Sequence, residues 1–253
     1  MSFDPAFFAT PAFLTTVAAA VIAALVRGFA GFGAALVFVP IASAAYGPAV
    51  AAPTLLLVDF VLTLPFFLGA ARRCRWPSVL PAVIAAMLVS PLGAWTLSNG
   101  EGTTLRWVIS VAILALVALI ASGWRYRSEP PVPVSAGVGA VAGFLSGFAQ
   151  IGGPPVIALW ISGPQPPDIV RANMFVFFAL ITVASFTAYL VNGLFTADVL
   201  RLVLAVAPAY GLALYAGSRV FGRIAGAGYR QIAYVVVALA AITSLPLFDG
   251  LWR

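Results

Sequence analysis

Apolar residues run along this chain in eight blocks, at roughly 12–46, 49–70, 78–98, 105–123, 135–162, 169–192, 198–218 and 230–248, with polar residues gathered in the short joints. Six blocks have the roughly 20-residue length that crosses a bilayer once. The first and the fifth do not fit. As one straight helix the first would measure about 52 Å, against a hydrocarbon core of about 30 Å. Both long blocks carry a glycine-rich interruption, the first across Gly28–Gly33 and the fifth across Gln150–Gly153. A break there leaves the first block with two arms of about 13 to 15 residues, each too short to cross alone, and a re-entrant hairpin accommodates them. Its unwound tip is tolerated only where it is buried in protein or lines a cavity.

The two interruptions resemble each other. Arg27-Gly-Phe-Ala-Gly-Phe-Gly33 overlays Ser146-Gly-Phe-Ala-Gln-Ile-Gly-Gly153, with Gly28 on Gly147 and Gly33 on Gly152, at a constant offset of 119 residues. The same offset sets Thr54 opposite Asn173, and Trp76-Pro77 opposite Phe195-Thr196. Matching glycine-rich breaks in two halves of a membrane chain point to a transporter's binding site. Helix packing through small residues is the competing explanation.

Arginine placement separates the possible topologies. If all eight blocks cross, Arg72, Arg73, Arg75, Arg125, Arg127, Arg201 and Arg253 share one face and Arg106, Arg171, Arg219, Arg223 and Arg230 the other, seven against five. If blocks one and five are re-entrant, only Arg106, Arg201 and Arg253 stay apart from the rest, nine against three. The second split obeys the positive-inside rule, with Arg-rich loops cytoplasmic and both termini outside the cell inner (plasma) membrane. Each half then holds one hairpin and three crossings, and an odd number of crossings makes the repeats inverted. The expected fold is an all-α integral membrane protein, a single transmembrane domain over 1–253. Repeat one covers about 1–123, a Pro-rich linker about 124–134 and repeat two about 135–253. A kinked, steeply tilted first helix is the alternative to the hairpin.

Composition agrees. Hydrophobic residues make up 63% of the chain and charged residues 8%, whereas a soluble domain carries roughly 25% charge. The first block is too long for a signal peptide and lacks a basic n-region, so it is expected to belong to the mature fold. There is no His and no Lys, and Cys74 is the one cysteine, so no intrachain disulfide can form. That inventory lacks the usual parts for metal, acid–base or serine-nucleophile chemistry, and no catalytic residue, metal or cofactor is expected. The pI near 10.1 needs no nucleic-acid partner to explain it. An exposed GxxxG-type face leaves a homodimer open.

The paired glycine motifs, the segment layout and the length together resemble the TauE/SafE sulfite exporter family over essentially the whole chain. The most specific part is Gly143-Phe-Leu-Ser-Gly-Phe-Ala-Gln-Ile-Gly-Gly-Pro-Pro155, which is similar to the family's second-half glycine motif. The first-half counterpart, Gly28–Pro40, departs from it: Gly31-Phe-Gly33-Ala-Ala35 stands where the family tends to run glycines. The resemblance implies a secondary transporter, usually an exporter, of small sulfur-containing anions such as sulfite or an organosulfonate. An anion-selective channel, or a carrier of another small carboxylate or inorganic anion, is the alternative.

An anion crossing a bilayer needs partial positive charge without a permanent trap. A half-helix N-terminus supplies it through unpaired N–H groups and a macrodipole worth roughly half a charge. The second arms start near Gly33 and Gly152, and two such N-termini are expected to converge near the midplane. Gly31, Gly33, Gly152 and Gly153 let oxyanions approach the backbone, and Phe32 is placed to gate. Arg27, at membrane depth, can grip a sulfonate bidentately or pair with Asp59. Asp59 is the one acidic residue well inside an apolar block, suited to charge pairing or proton coupling. Thr54, Asn173 and Gln150 complete the candidate substrate set as hydrogen-bonding side chains.

Overall fold

The computed structural model of the chain describes residues 10–30, 33–63, 70–123, 126, 128–160, 165–220, 237–242 and 245–247. Its principal elements are helices, and the described residues contain no strand. In chain order they are α1 (Pro11–Ala30), α2 (Ala34–Tyr46), α3 (Pro48–Thr63), α4 (Trp76–Asn99), α5 (Gly102–Ala121), α6 (Val132–Ala149), α7 (Gly153–Trp160), α8 (Pro167–Val191) and α9 (Ala197–Val220). Six of these, α1, α4, α5, α6, α8 and α9, are long and apolar enough to cross a membrane. Most of the eighth apolar block lies outside the described residues.

Both long blocks break where the glycines lie, but off-centre. The first divides into arms of 20 and 13 residues and the fifth into arms of 18 and 8. In the first block the leading arm therefore exceeds the expected length of about 13 to 15 residues and is itself long enough to cross. The glycines of the two leading arms do not unwind the helix, because Gly28 and Gly147 lie against the backbone of a neighbouring helix. Both helices continue through Ala30 and Ala149.

The chain forms two compact units that do not follow its sequence halves. The first contains α1, α2, α9, and α3 and α5 as far as Leu55 and Ala115. Here α1 packs on α9: Gly28 backs onto the main chain of Leu214, Gly217 and Ser218, and Gly217 onto that of Leu25.

The second unit holds α4, α6, α7, α8 and the remainders of α3 and α5. Its axis is the α4–α6 pair. Gly139, Gly143 and Gly147 lie against Ala82, Ala86 and Ser90 in turn, so the helices run parallel at a constant register of 57 residues (139−82, 143−86, 147−90). Small residues every fourth position on both helices bring the backbones together, as close packing in lipid requires. The bulk faces outward: Ile84, Leu88 and Leu92 are exposed while Ala82, Ala86 and Ser90 are buried. Helix α8 packs on α4 through a buried Ser90–Ser185 hydroxyl pair at 3.0 Å, and Ser98 donates to Asn192 at 3.2 Å.

The internal packing of the units follows one pattern. Gly28 on Leu214 and Gly217 on Leu25 in the first correspond to Gly147 on Ser90 and Gly93 on Phe144 in the second. The arm residues keep the 119-residue offset (147−28, 144−25), whereas the partner helices match at 124 (214−90, 217−93). In each unit, a first arm from one half of the sequence packs on a helix from the other half.

Candidate functional site

The first break begins where α1 ends. Arg27 stands half-buried in the last turn of α1, where carbonyls gather and a cation is favoured. Gly31 and Phe32 lie outside the described residues. Gly33 adopts the left-handed conformation, φ 94°, and opens α2 with no side chain to cap it. Residues Ala34 through Pro40 are all buried, and Leu36 donates its N–H to Gly33 at 3.1 Å. Thr54 is fully buried on α3, and its hydroxyl donates to the Val50 carbonyl at 2.8 Å.

The second break is described throughout. Helix α6 ends in an αL cap, with Gln150 N–H donating to the Ser146 carbonyl at 3.0 Å and Ile151 N–H to the Leu145 carbonyl at 3.2 Å. Gln150 occupies the left-handed position, φ 61°, and is the one non-glycine there among the described residues. That conformation costs a non-glycine residue about 1 kcal/mol or more. The Gln150 side chain folds back: Nε2 donates to the Ser146 carbonyl at 2.7 Å and to the Tyr189 hydroxyl at 3.3 Å. Gly152 lies against Ser146 Oγ and the Ala142 carbonyl with no room for a β-carbon. Gly153 opens α7 more loosely, its open face 3.6 Å from the Phe178 ring.

The α4–α6 register locates this break along the unit. Gly93, about 26 Å along α4 from Trp76 and about 9 Å from Asn99, backs onto Phe144, Gly147 and Phe148 in the last turns before Gln150. Helix α7 then packs toward the start of α4: Trp160 shares a core with Val79, against which Cys74, Trp76 and Tyr126 pack. The Ala158 carbonyl accepts the Tyr126 N–H at 3.2 Å, from the linker that precedes α6.

Asn173 bonds to loop residues. Its Oδ1 accepts the Arg75 N–H at 2.9 Å and its Nδ2 donates to Gln165 at 3.0 Å, tying two loops to the first turns of α8. Along that helix it is about 24 Å from Tyr189. Arg75 also pairs with Glu129 of the linker at 2.9 Å. Asp59 is half-buried on α3. Gln150, Gly152 and Gly153 thus come together in the second unit. Sequence reasoning passed over Tyr189, although Ser185, Tyr189 and Asn192 form a polar i, i+4, i+7 stripe along an apolar block.

A family model described as Sulfite exporter TauE/SafE matches residues 16–244. No curated protein and no solved structure matches the chain.

Proposed function

Because the chain belongs to the sulfite exporter TauE/SafE family, we propose that it is a secondary transporter that exports a small sulfur-containing anion by alternating access, receiving it at the glycine-rich helix breaks. The family match over residues 16–244 carries this reading. The chemistry of the breaks supports it: buried helix starts with short, close-approach residues are suited to an oxyanion. Arg27, Gly31, Phe32 and Gly33 would serve the first break, with Thr54 behind it. Gln150, Gly152 and Gly153 would serve the second.

The reading includes two inverted repeats, each a re-entrant hairpin followed by three crossings. The Tyr126–Ala158 hydrogen bond supports the second hairpin, since it ties the end of α7 to the residues that lead into α6. An α7 of eight residues, about 12 Å long, is also too short to finish a crossing. Arginine distribution supports cytoplasmic Arg-rich loops. Export of a monoanion from an inside-negative cell releases about 2.3 kcal/mol per 100 mV, so it needs no coupling ion.

The test is a thermal-shift panel on the purified protein with sulfite, sulfate, sulfoacetate, taurine, acetate and chloride at matched ionic strength, followed by flux in proteoliposomes. Selective stabilisation by a sulfur oxyanion, with saturable flux and counterflow, is the expected result. Non-saturating flux would make the protein a pore, and a flat panel without flux would remove the transport reading.

A further inference from the structure

The two breaks offer different donors to an anion. The first turn of α2 begins Ala34-Ala35-Leu36-Val37, and all four carry an N–H. The first turn of α7 begins Gly153-Pro154-Pro155-Val156, so two of its four leading N–H groups are missing. The second break is short of backbone donors.

A buried side chain stands against Gln150, three residues before α7 begins. The Tyr189 hydroxyl is 3.3 Å from Gln150 Nε2, and its residue is fully buried. Nε2 is identified as the nitrogen by its 2.7 Å bond to the Ser146 carbonyl, which requires a donor. The second amide proton therefore points at the phenol, and the phenol accepts. Its own proton is left over, with no acceptor recorded among the described residues. A buried hydroxyl that only accepts leaves a donor unsatisfied, and buried polar groups normally find partners. The ring is held in place by edge contact with Phe195, 6.3 Å between centroids, and the Tyr189 carbonyl by the Leu194 N–H at 2.9 Å. Gln150 accepts a strained backbone where glycine would be easy, and in return its amide fixes the phenol's direction.

We infer that the Tyr189 hydroxyl, oriented by Gln150, donates a hydrogen bond to an oxygen of the transported anion at the second break. It replaces the donors that Pro154 and Pro155 lack. Tyr189 is a binding residue and Gln150 its positioning residue. This rests on the reading of the breaks as the anion site.

The test compares Tyr189→Phe, Gln150→Gly and Ser185→Ala for melting temperature and for flux of sulfite and sulfoacetate in proteoliposomes. Tyr189→Phe keeps the ring and should raise KM about tenfold, as loss of a hydrogen bond to a charged group does. Gln150→Gly relieves the left-handed strain and should raise KM by a smaller factor. Ser185→Ala breaks a buried bond one turn away and should lower the melting temperature with KM unchanged. If Tyr189→Phe behaves like Ser185→Ala, the phenol is structural and the inference is overturned. Should Tyr189→Phe fail to fold, an unchanged KM in Gln150→Gly overturns it instead. A wild-type protein that responds to no anion defeats the transport reading, which is a different outcome from a responsive wild type matched by both variants.

Discussion

Gly147 and Ser90 meet backbone to backbone: the face of Gly147 that would carry a side chain is filled by the Ser90 carbonyl. The contact joins helices from opposite halves of the sequence, and it recurs one and two turns earlier at Gly143 and Gly139. Gly147→Val should separate α4 from α6 and cost about 1–3 kcal/mol or more, as overpacking does. Gly137, two residues off the seam, has open space around it. Gly137→Ala should be neutral or stabilise by roughly 0.5–1 kcal/mol. Melting curves in detergent would decide, and equal losses in both variants would show that the seam is not close-packed.

The adjacent glycines of the second break should separate in the same way. A β-carbon on Gly152 would collide with Ser146 and Ala142, whereas one on Gly153 would make ordinary contact with Phe178 at 3.6 Å. Gly152→Ala is expected to lower the melting temperature and the flux together. Gly153→Ala should fold as the wild type, leaving its flux as a direct report on the anion site. A normal melting temperature in Gly152→Ala would mean that the turn tolerates what its geometry forbids.

Asn173 is a loop clasp by geometry. Asn173→Leu removes the acceptor of the part-buried Arg75 N–H bond and should cost about 0.5–1.5 kcal/mol, with faster amide exchange over 71–76. Asn173→Asp keeps the acceptor for Arg75 and loses only the donation to Gln165, so its loss should be smaller. A variant with unchanged stability and weakened anion affinity would instead make Asn173 a ligand residue.

Topology can be read by accessibility labelling. With α6 and α7 re-entrant, cysteines at Ser128 and Asp168 react from the same face; with a full crossing they react from opposite faces. Background from Cys74 should be low, because burial pushes its thiol up to about 11 and leaves little thiolate at neutral pH. Opposite-face labelling would remove the hairpin and the inverted repeat with it.

Glu101 caps α5, accepting the N–H groups of Thr103 at 3.1 Å and Thr104 at 2.8 Å. The Thr104 hydroxyl, donating to the same carboxylate at 2.6 Å, and after it those N–H bonds lower the carboxyl from 4.5 to about 2. A depressed folded value means that the cap's contribution is complete above about pH 4.5 and is lost as pH falls through about 2. The carboxyl is exposed, so the effect on global stability is small and screened. A carbon-13 titration of the Glu101 carboxyl should have its midpoint near 2 rather than 4.5. A midpoint at the ordinary value would mean that the cap is open in solution.

Much of this protein is written locally. Hydropathy marks the helices because the transfer of each residue to lipid is nearly independent of its neighbours, and the eight blocks follow from that. Glycine marks the breaks, since Gly33 needs a backbone that other residues avoid. The repeated motif and the family were legible for the same reason. Helix partners were not. Among lipid tails no hydrophobic force selects a neighbour, so the choice falls to shape. Gly147 finds Ser90, and Gly28 finds Leu214, only because two small-residue surfaces fit across distant parts of the chain. The same limit hid the polar details. From sequence alone Asn173, Gln150 and Tyr189 are polar residues in apolar blocks. Tertiary packing ties Asn173 to loops and directs Gln150 at Tyr189, because a hydrogen bond depends on distance and angle that no single segment contains.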